Sequence, residues 1–147
     1  MLADIPRFYQ MGYVVDDLES AARRWQRTTG AGPFQWLKDI QVESGLYRGV
    51  PSRVQFSVAL AQCGDLQIEL IAQHNDAPSC YRDLFAPGQE GLHHLAVRTE
   101  SFEADLSRYE AAGFPSAFSG TYESTRFAYV DTSPALGFML ELVEARA

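Results

Sequence analysis

Apolar and polar positions along this chain fall into two rounds of one pattern. Phe8 to Val15 is rich in aromatic and β-branched residues and reads as a strand. Asp16-Asp17 then offers an N-cap, and Leu18, Ala21, Ala22 and Trp25 follow at helical spacing. Gly30 and Gly32-Pro33 end that helix. A second strand fits Phe34 to Ile40 and leads into a loop with Gly45 and Gly49-Val50-Pro51. Arg53 to Gln62 alternates, with Val54, Phe56, Val58 and Leu60 on one face. Gly64-Asp65 is a turn, and Leu66 to Gln73 is the next strand. The segment 74–91 reads as a linker with one short helix around Cys80 to Phe85. The second round has a strand over Leu92 to Thr99 and a helix over Phe102 to Ala112. Strands follow at Ser116 to Thr121, Arg126 to Asp131 and Gly137 to Glu144.

The two rounds also match residue by residue. Tyr9-Gln10-Met11-Gly12-Tyr13-Val14-Val15 is answered by His93-His94-Leu95-Ala96-Val97-Arg98-Thr99, an offset of 84 residues between Gln10 and His94. Leu66-Gln67-Ile68-Glu69-Leu70-Ile71 is answered by Phe138-Met139-Leu140-Glu141-Leu142-Val143. Such a repeat predicts a pseudo-twofold axis, near which equivalent positions converge. The equivalent polar positions are Gln10, Glu69, His94 and Glu141, each inside an otherwise apolar strand.

Strand periodicity puts these four on one face. Glu69 lies with Gln67, Ile71 and Gln73, while Leu66, Ile68, Leu70 and Ala72 lie opposite. Glu141 lies with Met139 and Val143; His94 lies with Ala96 and Arg98; Gln10 lies with Gly12 and Val14. His93 falls with Leu95 and Val97, on the side expected to pack against a helix. The expectation is an α+β fold: two tandem βαβββ modules forming a curved mixed sheet around a pocket, with helices on the outer face. It is one domain over 1–147, with pseudo-repeats at about 6–74 and 92–144. Whether the modules pair within one chain or across two is left open.

Charge narrows the partners. The formal net charge is −7, with a pI near 4.8. An acidic chain with scattered basic residues disfavours nucleic acid. No run approaches the roughly 20 apolar residues of a membrane span, and no secretory leader is visible. Cys63 and Cys80 make neither a metal spacing nor a disulfide framework. A cytoplasmic protein with a small-molecule substrate is expected, with no membrane partner.

These motifs, in this order, resemble the vicinal oxygen chelate superfamily. It includes glyoxalase I, methylmalonyl-CoA epimerase, extradiol dioxygenases and the bleomycin- and fosfomycin-resistance proteins. Leu92-His93-His94-Leu95-Ala96 and Leu140-Glu141-Leu142-Val143-Glu144 look most similar to the methylmalonyl-CoA epimerase and glyoxalase branches. The resemblance implies four metal-ligand positions: Gln10, Glu69, His94 and Glu141. It implies a divalent ion (Mn²⁺, Co²⁺, Mg²⁺ or Zn²⁺) and a proton shuttle by Glu141 or Glu69. The metal-dependent members usually carry His where this chain has Gln10, and an amide oxygen is a poorer ligand than imidazole.

The implied activity is a metal-assisted isomerase, epimerase or lyase acting on a small oxygenated carbonyl or acyl thioester through an enolate-type intermediate. The rival is a non-catalytic, bleomycin-resistance-like small-molecule binder. An extradiol dioxygenase ranks low, because only one aligned His is present. Tyr129, Arg126, Arg53 and His74 are candidate substrate contacts, with Tyr47 a further one. Family members commonly dimerise, so a homodimer is expected.

Overall fold

The computed structural model describes residues 6–145. Their strands join one ten-stranded mixed sheet, curved into a half-barrel. The first module supplies β1 (Phe8–Val14), α1 (Leu18–Thr29), β2 (Gln35–Leu37), β5 (Phe56–Cys63) and β6 (Leu66–Gln73). Between β2 and β5 lie two further strands, β3 (Glu43–Tyr47) and β4 (Val50–Pro51). After α2 (Cys80–Leu84), the second module supplies β7 (Gly91–Thr99), α3 (Phe102–Ala111), β8 (Ser116–Tyr122), β9 (Thr125–Val130), α4 (Ser133–Leu136) and β10 (Met139–Glu144). The spatial order is β2-β5-β6-β1-β7-β10-β9-β8-β3-β4. The α+β expectation holds, and the modules meet within this chain. The ends of the expected 1–147 domain lie outside the described residues. No helix among the described residues is long and apolar enough to cross a membrane.

The duplicated pattern is visible in the strand register. β1 runs parallel to β6 with Gly12 opposite Glu69, and β7 runs parallel to β10 with Ala96 opposite Glu141. The two halves meet where β1 pairs antiparallel with β7. Asp17 caps α1 by accepting from the Ser20 amide at 2.9 Å, and Gly30 closes it in a left-handed conformation. Ala21 and Ala22 of α1 pack on Ile68, Leu70 and Ala72 of β6. Phe102 of α3 packs on Leu140 and Leu142 of β10. A third cluster fills the concave side, with Val14, Phe56, Val58, Ile71, Phe127, Tyr129 and Met139.

Three features depart from the sequence reading. The expected loop after residue 40 contains β3 and β4, and β3 crosses to pair with β8 of the other module. Arg48 and Gly49 both take positive φ between paired Tyr47 and Val50, the geometry of a tight two-residue hairpin. The short helix α2 packs inside the half-barrel rather than outside, with Cys80 and Tyr81 in the concave cluster.

The third departure concerns His93. Gly12 pairs with His94 and Tyr13 with Leu92, so His93 is an extra residue without a β1 partner. That bulge breaks the period-two alternation and turns both imidazoles the same way. His93 therefore packs on Tyr81 and Tyr129, not against α3 as its position predicts.

Candidate active site

The four equivalent residues meet at one point. β7 presents the His94 ring over Gly12, and its Nε2 lies 2.9 Å from Gln10 Oε1, 3.4 Å from Glu69 Oε1 and 3.5 Å from Glu141 Oε1. His94 is fully buried, and Gln10 and Glu141 are nearly so. The Gln10 amide is held from behind, donating to Gln67 Oε1 at 2.7 Å. Glu69 Oε1 is buried with no hydrogen-bond partner. Polar groups removed from water cost free energy unless paired. Three oxygens around one ring nitrogen, one of them orphaned, therefore call for a positive charge at their centre.

A proton on Nε2 supplies such a charge, and so does a metal ion. An ion bound at about 2.1 Å by each donor sets neighbouring donors roughly 3 Å apart, close to the separations seen around Nε2. Among the described residues no three His, Cys, Asp or Glu form an ion cage by themselves. The Gln10 oxygen would be the fourth donor beside His94, Glu69 and Glu141. Oxygen-rich donors with one imidazole fit a hard or borderline divalent ion.

Burial pushes the Glu141 carboxyl up to about 7, and the Glu69 charge adds to this. His94 and a hydrogen bond to Tyr129 oppose the rise. Burial is also the main reason the His93 imidazole falls to about 3, so its neutral form dominates. Tyr129 packs edge-on against His94 with ring centroids 4.9 Å apart.

Gln10, Glu69, Tyr81, Tyr129 and Glu141 line a cavity of about 200 Å³, walled by Leu37, Ile40, Val42, Phe56, Tyr122 and Phe127. A second cleft of about 390 Å³ shares Ile40, Val42 and Phe56 with it and carries Arg53 on its rim. Tyr129 lines the cavity, and Arg53 lines the second cleft.

The other expected contacts lie elsewhere. Arg126 is on the helix side of β9, reaching Glu144 Oε2 at 2.6 Å and Glu103 Oε1 at 2.9 Å. Alternation explains it: Phe127 and Tyr129 face inward, so Arg126 faces outward. His74 is exposed, with Nε2 2.6 Å from Ser57 Oγ. Tyr47 donates to Asp83 Oδ1 at 2.6 Å. Arg126→Ala should accordingly leave the affinity of any cavity ligand unchanged and barely move the urea midpoint. A large loss of ligand binding, read by calorimetry, would contradict this placement.

Several cavity residues were not anticipated. Phe127 follows from Tyr129 by alternation, so its signal was present. Tyr81 arrives on α2 from the linker, and nothing local in the sequence places it there. Ile40 and Val42 enter because β3 crosses between modules.

The model for the Glyoxalase/Bleomycin resistance protein/Dioxygenase superfamily matches residues 9–129. No curated protein is similar to the chain by sequence. Similar solved structures include a hypothetical protein from Bacillus halodurans C-125, with TM-score 0.71, 15% identity and coverage of 98% of this chain and 97% of the other. Methylmalonyl-CoA epimerase from Mycobacterium tuberculosis has TM-score 0.63 and 19% identity, covering 100% and 93%. A variant of the Streptomyces coelicolor methylmalonyl-CoA epimerase, in complex with 2-nitronate-propionyl-CoA, has TM-score 0.61 and 19% identity, covering 98% and 97%. At these identities the likeness is one of fold, and the family match spans most of the chain. On that match, the chain belongs to the Glyoxalase/Bleomycin resistance protein/Dioxygenase superfamily.

Proposed function

We propose that this protein is an isomerase, epimerase or lyase that moves a proton beside the carbonyl of a small oxygenated carbonyl compound or acyl thioester. The observation that carries this reading is the convergence of Gln10, Glu69 and Glu141 oxygens on His94 Nε2, with Glu69 Oε1 unpaired. Gln10, Glu69, His94 and Glu141 would hold a divalent ion such as Mn²⁺, Co²⁺, Mg²⁺ or Zn²⁺. When bound, that ion supplies Lewis-acid stabilisation of negative charge on the substrate oxygens.

The chain's own residues do the rest. Glu141 takes the proton from the carbon next to the carbonyl and returns it, as a base poised near neutral pH must. Glu69 is the equivalent carboxylate from the other module and would be the second proton carrier for a flat enolate. Apolar walls exclude water, so the enolate is not quenched by bulk protons. The cavity of about 200 Å³ suits a short acyl or hydroxy-carbonyl unit. A longer substrate extends into the adjoining cleft, where Arg53 meets an anionic group. A cytoplasmic homodimer belongs to the same reading, on the family resemblance.

The test is hydrogen exchange. Short acyl thioesters and α-oxygenated carbonyls are incubated with the protein and Mn²⁺ or Co²⁺ in D₂O, and the carbon bound deuterium is read by NMR. Protein-dependent exchange at the carbon beside the carbonyl is expected. Saturable binding of these compounds without any exchange would favour the sequestering protein instead.

A further inference from the structure

We propose that the cleft beside α3 is a second binding site, built for an organic phosphate monoester and separate from the catalytic cavity. The cleft has a volume of about 750 Å³, and Arg7, Arg98 and Arg108 line it together with Tyr9 and Tyr109. It shares no lining residue with the cavity of Gln10, Glu69 and Glu141. The strand register brings two of the cations together. Phe8 pairs with Val97 in the antiparallel β1–β7 ladder, and continuing that register by one residue sets Arg7 across from Arg98. Residues opposite each other in such a pair have Cβ atoms roughly 5 Å apart, and like charges there repel. Among the described residues neither Arg7 nor Arg98 forms an ion pair. Arg108 is already matched by Asp105, which also accepts from Thr99. Glu100, the other acid of the cleft, is exposed and reaches neither free guanidinium.

A dianion answers this arrangement. Arg98 stacks its guanidinium over the Tyr9 ring, 4.1 Å from the centroid. Stacking uses the flat face of the group and leaves its N–H edges for hydrogen bonds. A planar fork of donors matches the oxygens of a phosphate, and two forks on one rung match its double charge. An anion between them turns the repulsion of Arg7 and Arg98 into two attractive contacts. A monocarboxylate brings half that charge. Tyr9 and Tyr109 offer aromatic surface beside the cations, so an ester with an apolar group fits better than inorganic phosphate alone. The chain as a whole carries −7, which repels anions at long range. A local pair of cations without carboxylates is therefore the feature that admits one. The site uses none of the catalytic residues and stands independently of the function proposed above.

Calorimetric titration of the full, metal-free chain at low salt tests the proposal, with phenyl phosphate, inorganic phosphate and benzoate as probes. One phenyl phosphate should bind per chain, more tightly than inorganic phosphate and roughly tenfold or more above benzoate. Arg7→Ala and Arg98→Ala should each weaken phenyl phosphate roughly tenfold or more. Arg98→Gln should do the same and decides the matter if the alanine variant does not fold. Arg27→Ala removes a cation from the last turn of α1, outside the cleft, and should leave the affinity unchanged. Absence of saturable binding overturns the proposal, as does benzoate binding as tightly as phenyl phosphate. Equal losses in Arg27→Ala and Arg98→Ala would reduce the effect to net charge and overturn it too. A loss confined to Arg53→Ala would move the anion to the cleft beside the catalytic cavity, against this assignment. Loss of phosphate binding together with a fall in sedimenting mass would assign the arginines to a contact between subunits, and is equally fatal.

Discussion

Glu141→Gln is expected to reduce exchange and turnover by about 10²- to 10⁴-fold, the usual worth of a positioned general base. The amide keeps the side chain's shape and still accepts from Tyr129, so the loss reports the missing base rather than a collapsed site. The pH profile sharpens the expectation. The Glu141 carboxyl titrates near 7, chiefly because it is buried. A base must be ionised, so kcat/KM should rise with pH as the Glu141 carboxyl ionises, a limb that a bound cation moves to lower pH, and the residual activity of the variant should lack that limb. Unchanged turnover in Glu141→Gln would remove Glu141 from the mechanism.

Stability should move the other way. The folded pKa of Glu141 lies above its ordinary value of 4.5, so the folded protein binds a proton that the unfolded chain releases. That contribution is fully present below about 4.5 and is lost as pH rises through about 7. In metal-free protein, Glu141→Gln should therefore be more stable than wild type at pH 8, by on the order of 1–3 kcal/mol. The gap should close below pH 5. Urea denaturation at the two pH values checks it, and equal midpoints at pH 8 would deny the burial penalty.

The convergence of Gln10, Glu69, His94 and Glu141 was legible because it depends on period and repeat. Two-residue alternation assigns a face, and duplication assigns a common axis. Both are properties of regular strands, and both survive where the strands are regular. What was not legible is where the ladder is interrupted. His93 sits at a bulge whose existence depends on the register between β1 and β7, which are 77 residues or more apart in pairing. The alternation rule has no term for such an interruption. β3 was hidden for a similar reason: its partner β8 belongs to the other module, and Ser44 and Arg48 carry unusual positive φ values without being Gly. Arg126 was different. Its outward position was implied by Tyr129 three residues later, and its charge drew it toward the pocket in a reading by residue type.

Gly12→Ala should be the most damaging single change to the site. A Cβ added at Gly12 would stand 2.0 Å from His94 Cε1 and 2.5 Å from both ring nitrogens. No side chain tolerates that approach, so the imidazole must leave its place. It has little room to do so, because Tyr129 packs edge-on against it and His93 is hydrogen-bonded to its far nitrogen. Overpacking of this kind costs about 1–3 kcal/mol, and the displaced ring would no longer face Glu69 and Glu141. The expected result is a lowered urea midpoint together with loss of activity comparable to removing His94. The pseudo-equivalent position gives the contrast. Ala96 stands opposite Gln10 as Gly12 stands opposite His94, and there a Cβ is present and fully buried. A slender amide beside Ala96 leaves room that a flat imidazole over Gly12 does not. The missing side chain at position 12 is thus the counterpart of the imidazole at 94. A Gly12→Ala protein with wild-type stability and activity would show that the His94 ring does not lie where this account of the site requires it.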